Sequence, residues 1–255
     1  MPAAPHQPAV GGRITLRRAA LLLLSGLILA APGASPAAAQ QAPAERPSRS
    51  DPYGAFIAEA AQRFGVPEAW IRAVMRVESA GDVRAISSAG AMGLMQIMPA
   101  AATDYMRERG LTVDTAALTR PSTNIDIGQR HIERLRDMGL TGGLLPKVIA
   151  AYNAGPKPVG EWNAIVRDGG DPLLYIESIP YWETRGYVVT VLRNYWMYER
   201  QAGKIASPSR AALAQGLWPR FPGLPGASAV RMNAAPATSA IAANAIVAAG
   251  GTHAN

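Results

Sequence analysis

The 255-residue chain contains no cysteine and only three histidines, His6, His131 and His253. The first absence excludes disulfides, cysteine-ligated metals and a lipid anchor on an N-terminal cysteine, so the core alone must hold the fold. The second leaves too few imidazoles for a zinc site, and neither metal nor cofactor is expected. Long apolar runs are also lacking. Ala19–Ala31 falls short of the roughly 20 residues that a spanning helix needs, so stable membrane insertion is not expected. The formal charge is +7, yet no basic run interleaved with aromatics argues for a nucleic-acid partner.

What is present divides the chain into four parts. Arg13, Arg17 and Arg18 precede the apolar run and Ala37-Ala38-Ala39 follows it, the pattern of a secretory signal peptide over residues 1–39. Arg17-Arg18 suits a twin-arginine export route as well as the general one. Loss of those three arginines takes the net charge from +7 to +4, which fits an anionic polymer partner or simple solubility. Residues 40–50 read as a linker and residues 51–200 as the foldable domain. From residue 201 to 255 the composition is Ala, Pro, Ser and Gly with few large side chains. Such a stretch buries too little apolar surface to offset ordering, so a low-complexity disordered tail is expected. Trp218 and Phe221 are its exceptions, either docked on the domain or exposed.

Helix signals fill the middle. Asp51-Pro52 resembles an N-cap with proline at the first helical position, followed by Phe56, Ala60 and Phe64 facing inward and a stop at Gly65. Pro67 opens a second helix ending near Glu78, and Pro99 a third through about Arg107. Asn124 is expected to cap a helix burying Ile125, Ile132, Leu135 and Met138. Pro146 opens a short helix stopped by Gly155-Pro156. Val188, Val191, Leu192 and Tyr195 mark a long one from about Tyr181 to Glu199. The fold class is all-α.

Within the second helix, Ile71, Val74 and Met75 form a stripe at i, i+3 and i+4, and Glu78 falls at i+7. A carboxylate on that face loses solvation, which raises its pKa toward the range a general acid needs. The same position also suits a boundary glutamate paired with Arg72 or Arg76. Three further segments carry polar groups in apolar surroundings. In Gly93-Leu94-Met95-Gln96-Ile97-Met98-Pro99 the glutamine is flanked by apolar residues, which suggests an amide aimed into a pocket. Ala151-Tyr152-Asn153-Ala154-Gly155-Pro156 surrounds one tyrosine with small residues. Glu177 to Val188 (ESIPYWETRGYV) offers Glu183 and Arg185 either as groove residues or as a surface helix start.

Taken together and in order, Glu78-Ser79, GLMQIMP, AYNAGP and ESIPYWETRGYV resemble the catalytic domain of the soluble lytic transglycosylases of bacteria (the SLT domain). The resemblance spans about Asp51 to Glu199 and implies a lysozyme-like, mostly helical fold and a periplasmic lyase acting on peptidoglycan strands. By the same resemblance Glu78 is the single catalytic acid, and Ser87, Gln96, Met98, Tyr152 and Glu183 line the groove, Tyr152 holding Glu78 or the substrate's acetamido group. Glu78 would protonate the oxygen between N-acetylmuramic acid and N-acetylglucosamine while the substrate's own N-acetyl group attacks the anomeric carbon. The resulting carboxylate would then take the proton of the muramic C6 hydroxyl, closing a 1,6-anhydro ring. Asp82, the nearest second acid, reads as a loop residue. One departure is that Ala80-Gly81-Asp82-Val83 stands where the family often has an aromatic and then Asn-Pro. A muramidase or chitinase-type hydrolase and a non-catalytic wall scaffold of a secretion system are the rival readings. Nothing in the chain names a partner in the cell envelope.

Overall fold

The computed structural model describes residues 51–108, 110 and 115–233. The expected signal peptide, the linker and the end of the tail lie outside them. Helix α1 (Gly54–Phe64) stops where Gly65 turns left-handed at φ 62°, its N–H donating to Ala61 O. α2 (Glu68–Glu78), α3 (Pro99–Arg107), α4 (Pro121–Asp137), α5 (Leu145–Ala154) and α6 (Pro156–Ile165) follow. α7 (Pro172–Glu177), the long α8 (Trp182–Gln201) and α9 (Pro208–Ala214) complete the helices, and a 3-10 turn spans Thr115–Thr119. Proline occupies the first turn of α3, α4, α5, α6, α7 and α9. Its fixed φ and missing N–H fit that position, where the amide has no intrahelical partner anyway. Among the described residues no helix is long and apolar enough to cross a membrane. The only paired strands there are β1 (Trp218–Pro219) and β2 (Ala229–Val230), which run antiparallel.

Gly155-Pro156 stops α5 as expected; the chain bends at Gly155, φ 86° and ψ 161°, and Pro156 at once starts a separate helix, α6. Two expectations are corrected. Asn124 does not cap α4, because Arg120 is the N-cap and the helix begins at Pro121. Asn124 lies a turn further in and is fully buried. The part of the tail that is described is folded. Residues 202–233 contribute α9 and the β1–β2 pair, and Trp218 and Phe221 are buried in the core. Average composition hid this, since two large aromatics anchor a segment otherwise poor in bulky residues.

α2 is the central element. It buries Ala69, Trp70, Ile71, Ala73, Val74 and Met75, and its most extensive helix contact is with α8. α8 contributes Val188, Val191, Leu192 and Tyr195 to the same core. Trp70 stands edge-on to Tyr195, ring centroids 6.0 Å apart, and to Phe221 at 5.0 Å. Trp218 packs at a tilt of 59° against Tyr175, centroids 5.2 Å apart, while its indole N–H donates to Gly170 O at 2.9 Å. Phe221 N–H donates to Gly143 O at 2.7 Å. The folded tail thus closes one side of Trp70. Phe221→Ala is expected to destabilise the protein by about 3–5 kcal/mol through cavity formation. Met232→Ala, at a solvent-facing position of the same segment, should change little. Urea unfolding of the two variants measures the contrast.

Candidate active site

Glu78 ends α2 and points into the seam with α8. The Tyr187 hydroxyl, one turn into α8, donates to its Oε1. Burial raises the Glu78 pKa from 4.5 to about 7, and the Tyr187 hydrogen bond opposes that rise without overcoming it. The C-terminal end of a helix is also the negative pole of its dipole, which further disfavours an anion there. Neither arginine of the sequence reading pairs with it: Arg72 reaches Glu68 at 3.0 Å, and Arg76 is exposed. No neighbouring carboxylate contributes to the shift. Asp82 is an exposed turn residue whose Oδ1 accepts the Arg84 N–H at 2.8 Å.

Ser79 caps the helix end. Its hydroxyl donates toward Leu94 O (2.9 Å) and Met75 O (3.3 Å) and accepts the Gly81 N–H at 3.2 Å. It fastens the end of α2 to the loop that follows, which runs from Asp82 to Met98. That loop is laced by bridges pairing Ile86 with Met92 and Met92 with Ile97. Ser87 closes one of its turns, accepting the Ala91 N–H at 2.9 Å. Gln96 adopts φ 47°, a left-handed conformation that costs a non-glycine residue roughly 1–2 kcal/mol. Its amide nitrogen donates to Ala85 O at 3.1 Å and Gly93 O at 3.0 Å, which holds that conformation in place. Met98 leaves the loop partly exposed.

α4 anchors the loop from beneath. Asn124 Oδ1 accepts the Met95 N–H at 2.7 Å, and its Nδ2 donates to Met92 O (2.9 Å) and Leu118 O (2.8 Å). A Cβ on Gly93 would fall 2.3 Å from Asn124 Nδ2 and 2.4 Å from Leu118 O, so only glycine fits at that φ of +75°. A Cβ on Gly128 would likewise strike Met95 Sδ at 2.4 Å.

Residues 55–173 match the family described as "Transglycosylase SLT domain". This stretch belongs to the SLT transglycosylase family. The chain is 36% identical over 129 residues to the soluble lytic murein transglycosylase of Escherichia coli (strain K12), covering 50% of this chain and 20% of that protein. It is 38% identical over 115 residues to the membrane-bound lytic murein transglycosylase C of Histophilus somni (strain 2336), covering 42% of this chain and 32% of that one. Among solved structures, the 70 kDa soluble lytic transglycosylase of Escherichia coli superposes with a TM-score of 0.57 at 31% identity, over 66% of this chain and 27% of that one. An inactive glutamate-to-glutamine mutant of the lytic transglycosylase Slt from Pseudomonas aeruginosa gives 0.53 at 33%, over 60% and 25%. The chain therefore spans only about a fifth to a third of the curated relatives it matches. The expected helical fold holds.

In this SLT domain the expected site residues divide. Glu78, Ser87, Gln96 and Met98 occupy α2 and the loop that Ser79 ties to it. Glu183 is exposed in the first turn of α8, which the positive end of the helix dipole favours. Arg185 braces the preceding turn instead, donating to Ile179 O at 2.9 Å. Tyr152 does not hold Glu78: its hydroxyl donates to Met95 O at 2.7 Å. It is near enough, however, for the Glu78 charge to add to the burial that raises its own pKa. The residue that does hold Glu78 is Tyr187, which sequence reasoning passed over. Its signal was present, for Tyr187 lies inside the ESIPYWETRGYV segment and on the stripe with Thr184, Val188 and Val191.

Two outcomes follow from this arrangement. Tyr187→Phe removes the bond that lowers the Glu78 pKa, so a 13C-carboxyl NMR titration should place that pKa above the wild-type value. Stability is linked to the same proton. The folded state retains it between pH 4.5 and about 7 while the unfolded chain has released it, so this group's contribution is complete below pH 4.5 and is lost as pH rises through 7. Glu78→Gln carries no such term. Its melting temperature relative to wild type should therefore climb between about pH 5 and about pH 8, and a flat difference would show that the carboxyl is not shifted.

Proposed function

We propose that this chain is a lytic transglycosylase that cleaves the bond between N-acetylmuramic acid and N-acetylglucosamine in peptidoglycan, leaving a 1,6-anhydromuramic end. The observation that carries this reading is Glu78 itself: a carboxyl raised to about 7 by burial, held by one tyrosine, with no second carboxylate among its influences. Paired-carboxylate glycosidases place two acids within roughly 5–9.5 Å of each other. A lone acid instead favours chemistry in which the substrate supplies its own nucleophiles.

Near neutral pH a large share of Glu78 is protonated and can donate to the glycosidic oxygen as the anomeric C–O bond breaks. The substrate's acetamido oxygen covers the developing positive charge. Glu78 is then a carboxylate, and the Tyr187 hydroxyl already donates to it, stabilising the anion at the moment it forms. That carboxylate takes the proton of the C6 hydroxyl as its oxygen bonds the anomeric carbon. The glutamic acid is regenerated and no water is consumed. Ser87, Gln96, Met98, Tyr152 and Glu183 are the groove residues of this reading. Tyr152 acts through the Met95 carbonyl, which fixes the loop, and not by grasping Glu78. Export to the compartment that holds peptidoglycan agrees with the arginines, apolar run and Ala-x-Ala pattern of residues 1–39.

Mass spectrometry of digested peptidoglycan tests the reading. Products lighter by one water than reducing muropeptides are expected. Reducing ends alone would assign a hydrolase of the same fold. Glu78→Gln should lower turnover by about 10²–10⁴-fold, the usual contribution of a general acid. Full activity in that variant would remove Glu78 from the mechanism, and wild-type protein that binds the wall without cutting it would point to a scaffold.

A further inference from the structure

Charge is shared unevenly along the chain. Residues 51–183 hold thirteen lysines and arginines against sixteen carboxylates, whereas residues 184–233 hold seven against one. That one carboxylate, Glu199, is buried near the end of α8, where Lys204 and the Tyr195 hydroxyl meet it. Arg185 is turned back on Ile179 O and Glu177. Arg193, Arg200, Arg210 and Arg231 are exposed, and among the described residues no carboxylate pairs with any of them. An asymmetry of this size marks a surface for an anionic partner.

The outer face of α8 adds apolar groups to these cations. Its inner face packs on α2 and α5. Trp182, Val189, Arg193 and Arg200 recur along the solvent side at i, i+7, i+11 and i+18, a stripe roughly 27 Å long. Trp182 is 81% exposed at one end, Val189 and Met197 are exposed between, and Ile205 is 99% exposed just past the other end. Arg200, Lys204 and Arg210 line one recess together with Ile205, so the cations of α8 and α9 gather around the most exposed of the large apolar side chains. Glu183, in the first turn, is the only acid exposed on α8. Large apolar groups at both ends of a helix face, with cations between them, are the make-up of a helix that lies in a lipid interface. A sugar polymer would meet the arginines but leave Val189 and Ile205 without apolar cover.

We propose that this face binds the surface of a membrane rich in anionic lipid. Arg193, Arg200 and Arg210 meet lipid phosphates while Trp182 and Ile205 enter the head-group layer. The attachment is peripheral, since no described helix crosses a membrane. The face includes neither Glu78 nor Tyr187 and does not rest on their chemistry.

Co-sedimentation of the full chain with two kinds of vesicle tests this: phosphatidylglycerol mixed equally with phosphatidylcholine, and phosphatidylcholine alone. At low salt the mixed vesicles should bind the protein about tenfold more tightly. Arg193→Gln and Arg200→Gln should each weaken that binding about fivefold, and Ile205→Ser about tenfold. Lys157→Gln, at an exposed position on α6, should bind as wild type does. Every substituted side chain is exposed, so each variant should keep the wild-type melting temperature. Equal binding to the two kinds of vesicle overturns the proposal. So does unchanged binding in the arginine and isoleucine variants, which would place the lipid contact elsewhere, as in the apolar run Ala19–Ala31. Isolated peptidoglycan sacculi separate the remaining case. Retention on sacculi that the arginine variants lose, without vesicle binding, assigns the face to the wall polymer instead.

Discussion

The antiparallel contact of α2 with α8 is the constraint on which the rest of the domain depends. Its register can be read from two pairs. Trp70 meets Tyr195 edge to face, and eight residues later on α2, eight earlier on α8, Glu78 meets Tyr187. Over roughly 12 Å of shared axis the seam passes from an aromatic lock to a carboxyl–phenol pair. The lock is among the most buried parts of the protein, so the helices cannot slide without opening the core. Residues with no polar role therefore set the distance between Glu78 and its hydroxyl partner. The folded segment 202–233 matters for the same reason. Phe221 also packs edge-on against Trp70 and stiffens the end of the seam away from the acid.

A second fixed body supports the loop from Asp82 to Met98. Loops of this length without regular structure are usually mobile, but Asn124 ties this one down with two bonds from a fully buried side chain and joins it to the 3-10 turn with a third, to Leu118 O. Both of its amide N–H donors and its carbonyl oxygen are engaged, so replacing it would strand several backbone groups in the interior. Gly93 and Gly128 allow the approach, since a methyl on Gly93 would collide with Asn124 and one on Gly128 with the Met95 side chain of the loop. Tyr152 completes the arrangement from α5 by bonding Met95 O. The loop is thus held by α4 below and α5 beside it, while Ser79 binds its start to the helix carrying the acid.

Much of this was legible in the chain, and unevenly so. The inward stripe of α2 and the place of Glu78 at its end followed from apolar spacing alone, because a helix burying one face announces itself by period. Helix starts at proline were legible for the same local reason, although Pro156 shows the limit: a Gly-Pro pair that usually ends a helix can also begin the next one. Partners across the fold were not legible. Asn124 has the composition of a cap and the job of a tether, and only tertiary placement separates the two. The choice between Tyr152 and Tyr187 as the holder of Glu78 depends on which side of α2 each helix packs, a relation no local pattern encodes. The folded tail escaped because composition averages over a segment, whereas Trp218 and Phe221 act as two concentrated anchors.

α8 shows why a fold retains groups that stability alone would remove. Near its start, Tyr187 faces a carboxyl whose charge burial opposes and no cation relieves. Near its end, Glu199 is buried against Lys204, with the Tyr195 hydroxyl bonded to the same carboxylate. A hydrophobic replacement would need neither partner. In each case the unfavourable term remains because the surrounding helices over-determine the backbone: the Trp70–Tyr195 contact lies between the two acids and holds both ends of the helix. The rigidity of that middle permits an acid poised near neutrality at one end of α8 and a fully buried carboxylate paired with Lys204 at the other.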